Sequence, residues 1–276
     1  MTKIRIDSLK NDELRIYSEL SEVQLLRYYE PKPGIFIAES LNVILRAISA
    51  GYVPISFLVQ EDLFEKEALP LIEKTKEVFG SDKAEAINVY TAELDVINKL
   101  TGFAMTRGIL SAMKRKPMED FEIFIRGKKR LAVLYDIVNP TNVGAVIRSA
   151  AALGMDGVML TNKCADPFYR RAARVSMGTV FQIPMIKVDI SIEKLNEIGF
   201  TTVAMALKDD SVSISDNRIK EADRVAVVLG TEGEGLPTEA IDACIYTAKI
   251  PMYHGVDSLN VAAASAVAFY EICKEG

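Results

Sequence analysis

The chain of 276 residues has no tryptophan, one histidine (His254) and three cysteines. One histidine cannot build a histidine-based zinc or iron site. Cys164, Cys244 and Cys273 stand 80 and 29 residues apart, a spacing that suits neither a metal site nor a paired redox motif, so no metal is expected. Thiols buried in a reducing compartment are the expectation. Long apolar stretches are also missing. The longest uncharged run is the 14 residues from Ala47 to Gln60, broken by Gly51 and Pro54, against the roughly 18 that a spanning helix needs. The opening residues MTKIRIDSLKND hold no apolar core followed by a small-residue cleavage site, so a cytoplasmic protein without membrane association is expected. Strong net charge is absent as well. With 33 basic and 38 acidic side chains the balance is −5, which argues weakly against a nucleic-acid partner.

What is present is ordinary globular material: 49% hydrophobic and 26% charged residues. That length and composition suit one large or two modest domains. The charge is unevenly spread. From Arg107 to Arg174 there are 13 basic and 6 acidic residues, a balance of +7 that leaves −12 for the rest. Such a block is either an electrostatic footprint for phosphates or a solvated linker and helix face. Charge alone favours the second.

The first 120 residues alternate strand-like and helix-like segments. IFIA (35–38), ISFLVQ (55–60), INVYT (87–91) and GILSAM (108–113) read as strands, with helices over 39–50, 61–78 and 93–100. KRKPMEDFEIFIRGKKR (114–130) mixes charge with Pro117 and Gly127. It reads as the connection (113–130) between an N-terminal domain, 1–120, and a C-terminal one, 121–276. The second half is more regular. LAVLYDI (131–137), DGVMLT (156–161), TVFQIPMIKV (179–188), TTVAMAL (201–207) and RVAVVLG (224–230) are strand candidates separated by helices. That alternation predicts an α/β domain with a mostly parallel sheet.

Three segments carry chemistry. In DIVNPTNVGAVIRSAAALG (136–154), a helix is expected to begin near Asn142, and on it Val143, Val146, Ile147, Ala150 and Ala151 share one face. Arg148 falls roughly 130° from the centre of that face and is expected outside the core. Asn142 is a candidate N-cap. In VVLGTEGEGLP (227–237), an apolar strand enters a loop with Gly230, Gly233 and Gly235 that lets a ligand approach the backbone. It matches neither the dinucleotide nor the phosphate-loop fingerprint, which excludes a nicotinamide-dependent dehydrogenase. Glu232 and Glu234 would repel phosphates, so a positively charged ligand such as the sulfonium S-adenosylmethionine (AdoMet) fits better. In IPMYHGVDSLNVAAASAVAFYE (250–271), Asp257 or Ser258 can cap a helix whose next 12 residues are uncharged. Such a helix is sandwiched in a core or buried against a second subunit.

In these segments the sequence resembles the SpoU (TrmH-like) branch of the SPOUT RNA methyltransferases, through N-P-x-N-x-G-x-x-x-R, L-G-x-E-G-x-G and I-P-M…S-L-N-V-A. The resemblance is strong over about 131–274, with RVSMGTVFQIP (174–184), and looser over about 30–113. It implies a C-terminal domain with a deep trefoil knot, a homodimer through that domain, and a small α/β substrate-binding domain before it. In that domain the usual glycine after the first strand's glutamate is replaced, giving IAES (37–40). The implied activity is methyl transfer from AdoMet to a ribose 2′-hydroxyl of ribosomal or transfer RNA, ribosomal RNA being favoured. The alternative is an RNA-binding protein with the SPOUT fold but no transfer. The implied cofactor contacts are Leu229, Gly230, Glu232, Ile250, Met252, Ser258, Leu259 and Asn260. Arg148 matches the arginine that activates the hydroxyl, and Asn142 the asparagine that supports the site. The expected RNA surface is Lys114, Arg115, Lys116, Lys128, Lys129, Arg130, Arg170, Arg171 and Arg174, with Phe168 and Tyr169 either stacking on bases or packed in the core.

Overall fold

The computed structural model describes residues 1–6, 12–101, 108–189 and 191–274. The chain divides into two compact units. Unit 1 comprises Met1–Pro117 together with Phe168–Phe181, and unit 2 comprises Met118–Pro167 and Gln182–Gly276.

Unit 1 is built on a five-stranded sheet of β1 (Thr2–Arg5), β2 (Ile35–Glu39), β3 (Pro54–Gln60), β4 (Asn88–Ala92) and β5 (Ile109–Lys114). The order is β1-β4-β3-β5-β2. β4 pairs parallel with β1 and β3, and β5 runs antiparallel to β3 and β2. Four of these strands match the apolar runs of the sequence within two residues. β1 has no such signal, because its TKIR alternates charge and lies mostly exposed. β2 is an edge strand, yet all five of its residues are buried. The helices Glu22–Leu26 and Arg170–Val175 pack on it, which removes the hazard of an open apolar edge.

The second of those helices corrects the expected division of the chain. Residues 168–181 were expected in the C-terminal domain, and they belong to unit 1. Phe168 and Phe181 stack on Phe36 at centroid distances of 5.2 and 5.3 Å, and Tyr52 meets Phe168 edge-on at 5.4 Å. Phe168 is therefore a packing residue; Tyr169 beside it is half-buried. Gly178 (φ +81°) lies against the Leu41–Ser49 helix, where a Cβ would come within 3.3 Å of Val43 Cα. The Arg46 guanidinium donates to the Met177 carbonyl beside it. The expected strand over 179–188 also shrinks. Thr179–Phe181 is a 3-10 turn, and only Met185–Lys187, after Pro184, is extended.

Unit 2 has a seven-stranded sheet of β6 (Arg130–Leu134), β7 (Gly157–Leu160), β8 (Met185–Lys187), β9 (Thr201–Met205), β10 (Val212–Ser213), β11 (Val225–Leu229) and β12 (Tyr246–Lys249). The order is β10-β12-β9-β11-β6-β7-β8. Every pairing is parallel. The central strand β11, VAVVL, is buried at all five positions, as a strand covered on both faces must be. The helices Pro140–Ala152 and Val261–Cys273 pack on each other. In a second cluster, Phe124, Leu131, Val133, Phe200 and Val228 form a core. Phe124 lies in the segment expected to be a linker; from Met118 onward that segment is folded into unit 2.

Ser40, the first residue after β2, is 3% exposed, has φ +85° and leaves its hydroxyl without a partner. It occupies the position where the resembled family carries glycine. Left-handed backbone on a non-glycine residue and an unpaired buried hydroxyl each cost on the order of 1–3 kcal/mol, while glycine costs about 1 kcal/mol in unfolded-chain entropy. Ser40→Gly is therefore expected to raise stability by about 1 kcal/mol, read as an increased urea midpoint with an unchanged slope.

Candidate cofactor cavity and active site

The C-terminal ends of β9, β11 and β12 open into a cavity of about 630 Å³. This is the end of a parallel sheet at which α/β proteins hold ligands, and the volume suits a small molecule. Its floor is the loop after β11. Thr231 bridges Gly235, its amide donating to the Gly235 carbonyl at 3.1 Å. The chain thus doubles back over Gly230, where a Cβ would stand 2.4 Å from Gly235 carbonyl carbon and 2.5 Å from Leu236 N. Only glycine fits there. Gly233 and Gly235 (φ +85° and +70°) supply the left-handed conformations of the reversal.

All eight expected cofactor residues, Leu229, Gly230, Glu232, Ile250, Met252, Ser258, Leu259 and Asn260, line this cavity. So do Met205, Ala206 and Leu207, which sequence reasoning missed. They form a wall through backbone and small apolar groups, and TTVAMAL carries no signal beyond that of a buried strand.

One side chain ties the three motifs together. The Asn260 amide nitrogen donates to Asn142 Oδ1 at 3.4 Å and to the Glu232 carboxylate. Its Oδ1 accepts from Ala262 N at 2.9 Å. Asn260, and neither Asp257 nor Ser258, is therefore the N-cap of the Val261–Cys273 helix. The first motif needs the same correction. Asn139 caps the Pro140–Ala152 helix by accepting from Thr141 N, so Asn142 lies inside the first turn, buried, with its amide aimed at Asn260. Arg148 is exposed, as the helix periodicity predicts. It stands six residues beyond Asn142, roughly 9 Å along the axis, and does not line the cavity.

The expected RNA residues are divided between the two units. Lys114, Arg115, Lys116, Arg170, Arg171 and Arg174 belong to unit 1, and Lys128, Lys129 and Arg130 to unit 2. The last three precede or open β6, at the N-terminal end of its sheet. A five-residue strand is about 16 Å long, which puts them across the sheet from the cavity. Lys129 pairs with Asp223 at 2.6 Å and holds its carboxyl below the usual range, while Arg130 donates to the Asp223 carbonyl at 2.8 Å. The charge of this triplet serves the local strand ends. In unit 1, the buried Glu39 carboxylate takes Arg174 at 3.3 Å and Arg170 at 3.9 Å. Burial lowers the pKa of the Arg170 guanidinium, opposed by Glu39 and Glu22. Arg170 and Arg174 are thus partners of Glu39 first, although Arg174, like Arg171, is exposed. Arg115 lies over the Phe168 ring at 5.1 Å and Lys116 over Tyr52 at 4.7 Å.

Burial raises the pKa of all three thiols, that of Cys244 to about 11, which suits inert packing groups. Among the described residues no group of three or more His, Cys, Asp or Glu is placed to hold a metal ion. No helix among them is long and apolar enough to cross a membrane.

Known proteins resemble this chain over most of its length. The model of the SpoU rRNA Methylase family matches residues 129–270. An uncharacterized tRNA/rRNA methyltransferase of Mycobacterium bovis is 32% identical over 247 residues, covering 88% of this chain and 82% of the relative. The structure of an AdoMet-bound rRNA methyltransferase from Sinorhizobium meliloti superposes with a TM-score of 0.77 at 24% identity, covering 98% of this chain and 97% of that one. An RNA 2′-O ribose methyltransferase does so with a TM-score of 0.73 at 22% identity and 98% coverage of both chains. These two structures share the fold.

Gly230→Ala tests the cavity floor. The methyl group would stand within 2.5 Å of the Gly235–Leu236 peptide, so the loop must move. The expected outcome is a loss of AdoMet affinity by roughly tenfold or more, about 1.4 kcal/mol, measured by calorimetry. Unchanged affinity would remove this loop from the cofactor site.

Proposed function

The chain belongs to the SpoU rRNA methylase family and is an AdoMet-dependent RNA methyltransferase, and we propose that it methylates a ribose 2′-hydroxyl, with ribosomal RNA favoured over transfer RNA. The observation that carries the reading is the Asn260 amide, which lines the cavity with Glu232 and the glycine loop and bonds both Glu232 and Asn142. The cavity suits AdoMet. Gly230 leaves room for close approach of a ligand to backbone, and the Glu232 carboxylate lies on the wall where a sulfonium's charge is accommodated.

AdoMet supplies an electrophilic methyl group open to in-line attack by an oxygen held near ~3–3.5 Å. The chain's own task is to present that oxygen and stabilise the charge it develops. Arg148, exposed on the helix that carries Asn142, offers a planar fork of donors able to hold the developing alkoxide and an adjacent phosphate together. Arg148 stands outside the cavity lining, so bound RNA has to bring the reacting hydroxyl to it.

We further propose that unit 2 pairs with a second copy. Its Val261–Cys273 helix, uncharged up to Tyr270, leaves Val267 and Tyr270 exposed, and Val138, Val256 and Leu259 of the same unit are exposed too. Apolar side chains in that number mark a surface that another subunit covers. Sedimentation of the full chain at micromolar concentration is expected to give a dimer, and Val267→Glu a monomer. A wild-type monomer under those conditions overturns the pairing.

Arg148→Lys is expected to leave fold and AdoMet affinity intact while cutting single-turnover methyl transfer by roughly 10²–10³-fold at saturating RNA. Lysine keeps the charge but loses the fork, and one preorganised donor at a developing oxyanion is worth about 2.7–4 kcal/mol. Transfer at more than about half the wild-type rate removes Arg148 from the chemistry. Absence of transfer by the wild type, with AdoMet and RNA both bound, supports instead a binding protein that keeps the fold alone.

A further inference from the structure

Residues 27–33 take no part in the cavity, and the motifs leave them unexplained. They form a closed loop. The chain leaves the helix Glu22–Leu26 and returns at Gly34 to begin β2. At Gly34 a Cβ would stand 2.1 Å from the Leu26 carbonyl oxygen and 2.3 Å from that of Leu25, so the two ends of the loop touch through backbone. The Arg115 amide donates to the Gly34 carbonyl at 2.9 Å and ties that base to the end of β5. Within the loop, Tyr28 N donates to Leu25 O at 3.2 Å, Glu30 N to Arg27 O at 3.0 Å and Lys32 N to Tyr29 O at 2.8 Å. The loop is thus held by its own backbone, in the manner of compact surface loops that carry function.

Its side chains are left for another purpose. Tyr28 and Tyr29 are 46% and 41% exposed and meet edge to face at 4.9 Å. Arg27 and Lys32 flank them, and Lys114 lies at the base, in register with Ile35 of β2. Among the described residues none of these three cations has an ion pair or a side-chain hydrogen bond. Of the nearby carboxylates, Glu22 is occupied by the Arg170 amide at 2.6 Å, which leaves Glu30. Open aromatic faces beside uncompensated cations are what a single strand of RNA requires: a ring under a splayed base, and a positive charge for the phosphate next to it.

We propose that Tyr28 and Tyr29, with Arg27, Lys32 and Lys114, form a stacking platform on unit 1 for a single-stranded segment of the RNA substrate. The platform rests on the RNA methyltransferase reading and adds to it a binding site separate from the cavity. It favours unpaired bases, because a duplex keeps its base faces stacked inside.

The test uses the full chain and fluorescein-labelled oligoadenylate and oligouridylate of about twelve nucleotides, within the usual span of single-strand sites. A duplex of the same length is the comparison. Tyr28→Ala with Tyr29→Ala is expected to weaken binding of both single strands by roughly tenfold or more, and Tyr28→Phe with Tyr29→Phe to leave it within about twofold. Replacing Arg27, Lys32 and Lys114 by Ala is expected to flatten the salt dependence, by about 0.7 in log–log slope for each phosphate that is no longer neutralised. Because the chain lacks tryptophan, emission comes from its ten tyrosines alone; RNA is expected to quench the wild type, and the alanine pair less. AdoMet calorimetry on each variant confirms the fold, and the single alanine variants stand in should the pair fail it. Equal affinity of wild type and alanine pair, or wild-type preference for the duplex, overturns the platform. If methyl transfer persists in that case, the enzymatic reading survives; wild type that neither binds nor methylates RNA overturns both.

Discussion

The catalytic unit depends on what one amide does. Asn260 starts the Val261–Cys273 helix with its oxygen and spends its nitrogen on Asn142 and Glu232. These are neutral or charge-assisted bonds at the edge of a cavity, worth on the order of 1–3 kcal/mol each. Their importance lies in what they join. Three segments separated by up to 118 residues meet at one point: the helix that carries Arg148, the glycine loop, and the loop returning from β12. The Glu232 carboxylate on the cavity lining stays oriented because an amide holds it, and the same side chain starts a helix.

This arrangement explains how much of the site was legible in the sequence. The glycine loop was readable because Gly230 has a steric reason to be glycine, and the apolar strand before it fixes where the loop starts. Arg148 was placed outside the core by helix periodicity alone, and it is exposed. The caps were misread. Asp257, Ser258 and Asn260 all suit an N-cap, and only tertiary contact selects among them: Asn260 alone has both an acceptor for Ala262 N and a donor for Glu232. Asn142 was misplaced for the same reason, since Asn139 just upstream has identical chemistry. The cavity wall of Met205, Ala206 and Leu207 acts through shape, which leaves no mark in composition.

Charge was the poorest guide. The basic stretch from Arg107 to Arg174 is continuous in sequence but belongs to two folded units, and much of it is already answered. Lys129 faces Asp223, while Arg170 and Arg174 face Glu39. A linear count cannot see that a carboxylate 131 positions upstream of Arg170 has been buried to meet it. The uncompensated cations Arg27, Lys32 and Lys114 lie mostly outside the block, where the local sum drew no attention.

The allocation of Phe168–Phe181 to unit 1 makes both units discontinuous, so the polypeptide passes between them three times. A domain joined once can be cut free, shuffled or lost. One stitched three times cannot. Removing residues 1–117 would strip Phe36 and Tyr52 from the faces of Phe168 and Phe181, and Glu39 from two arginines. The remaining half would carry a greasy, positively charged flap in place of a finished surface. At the level of the gene, substitutions in β2 are constrained by a helix encoded more than 130 codons downstream.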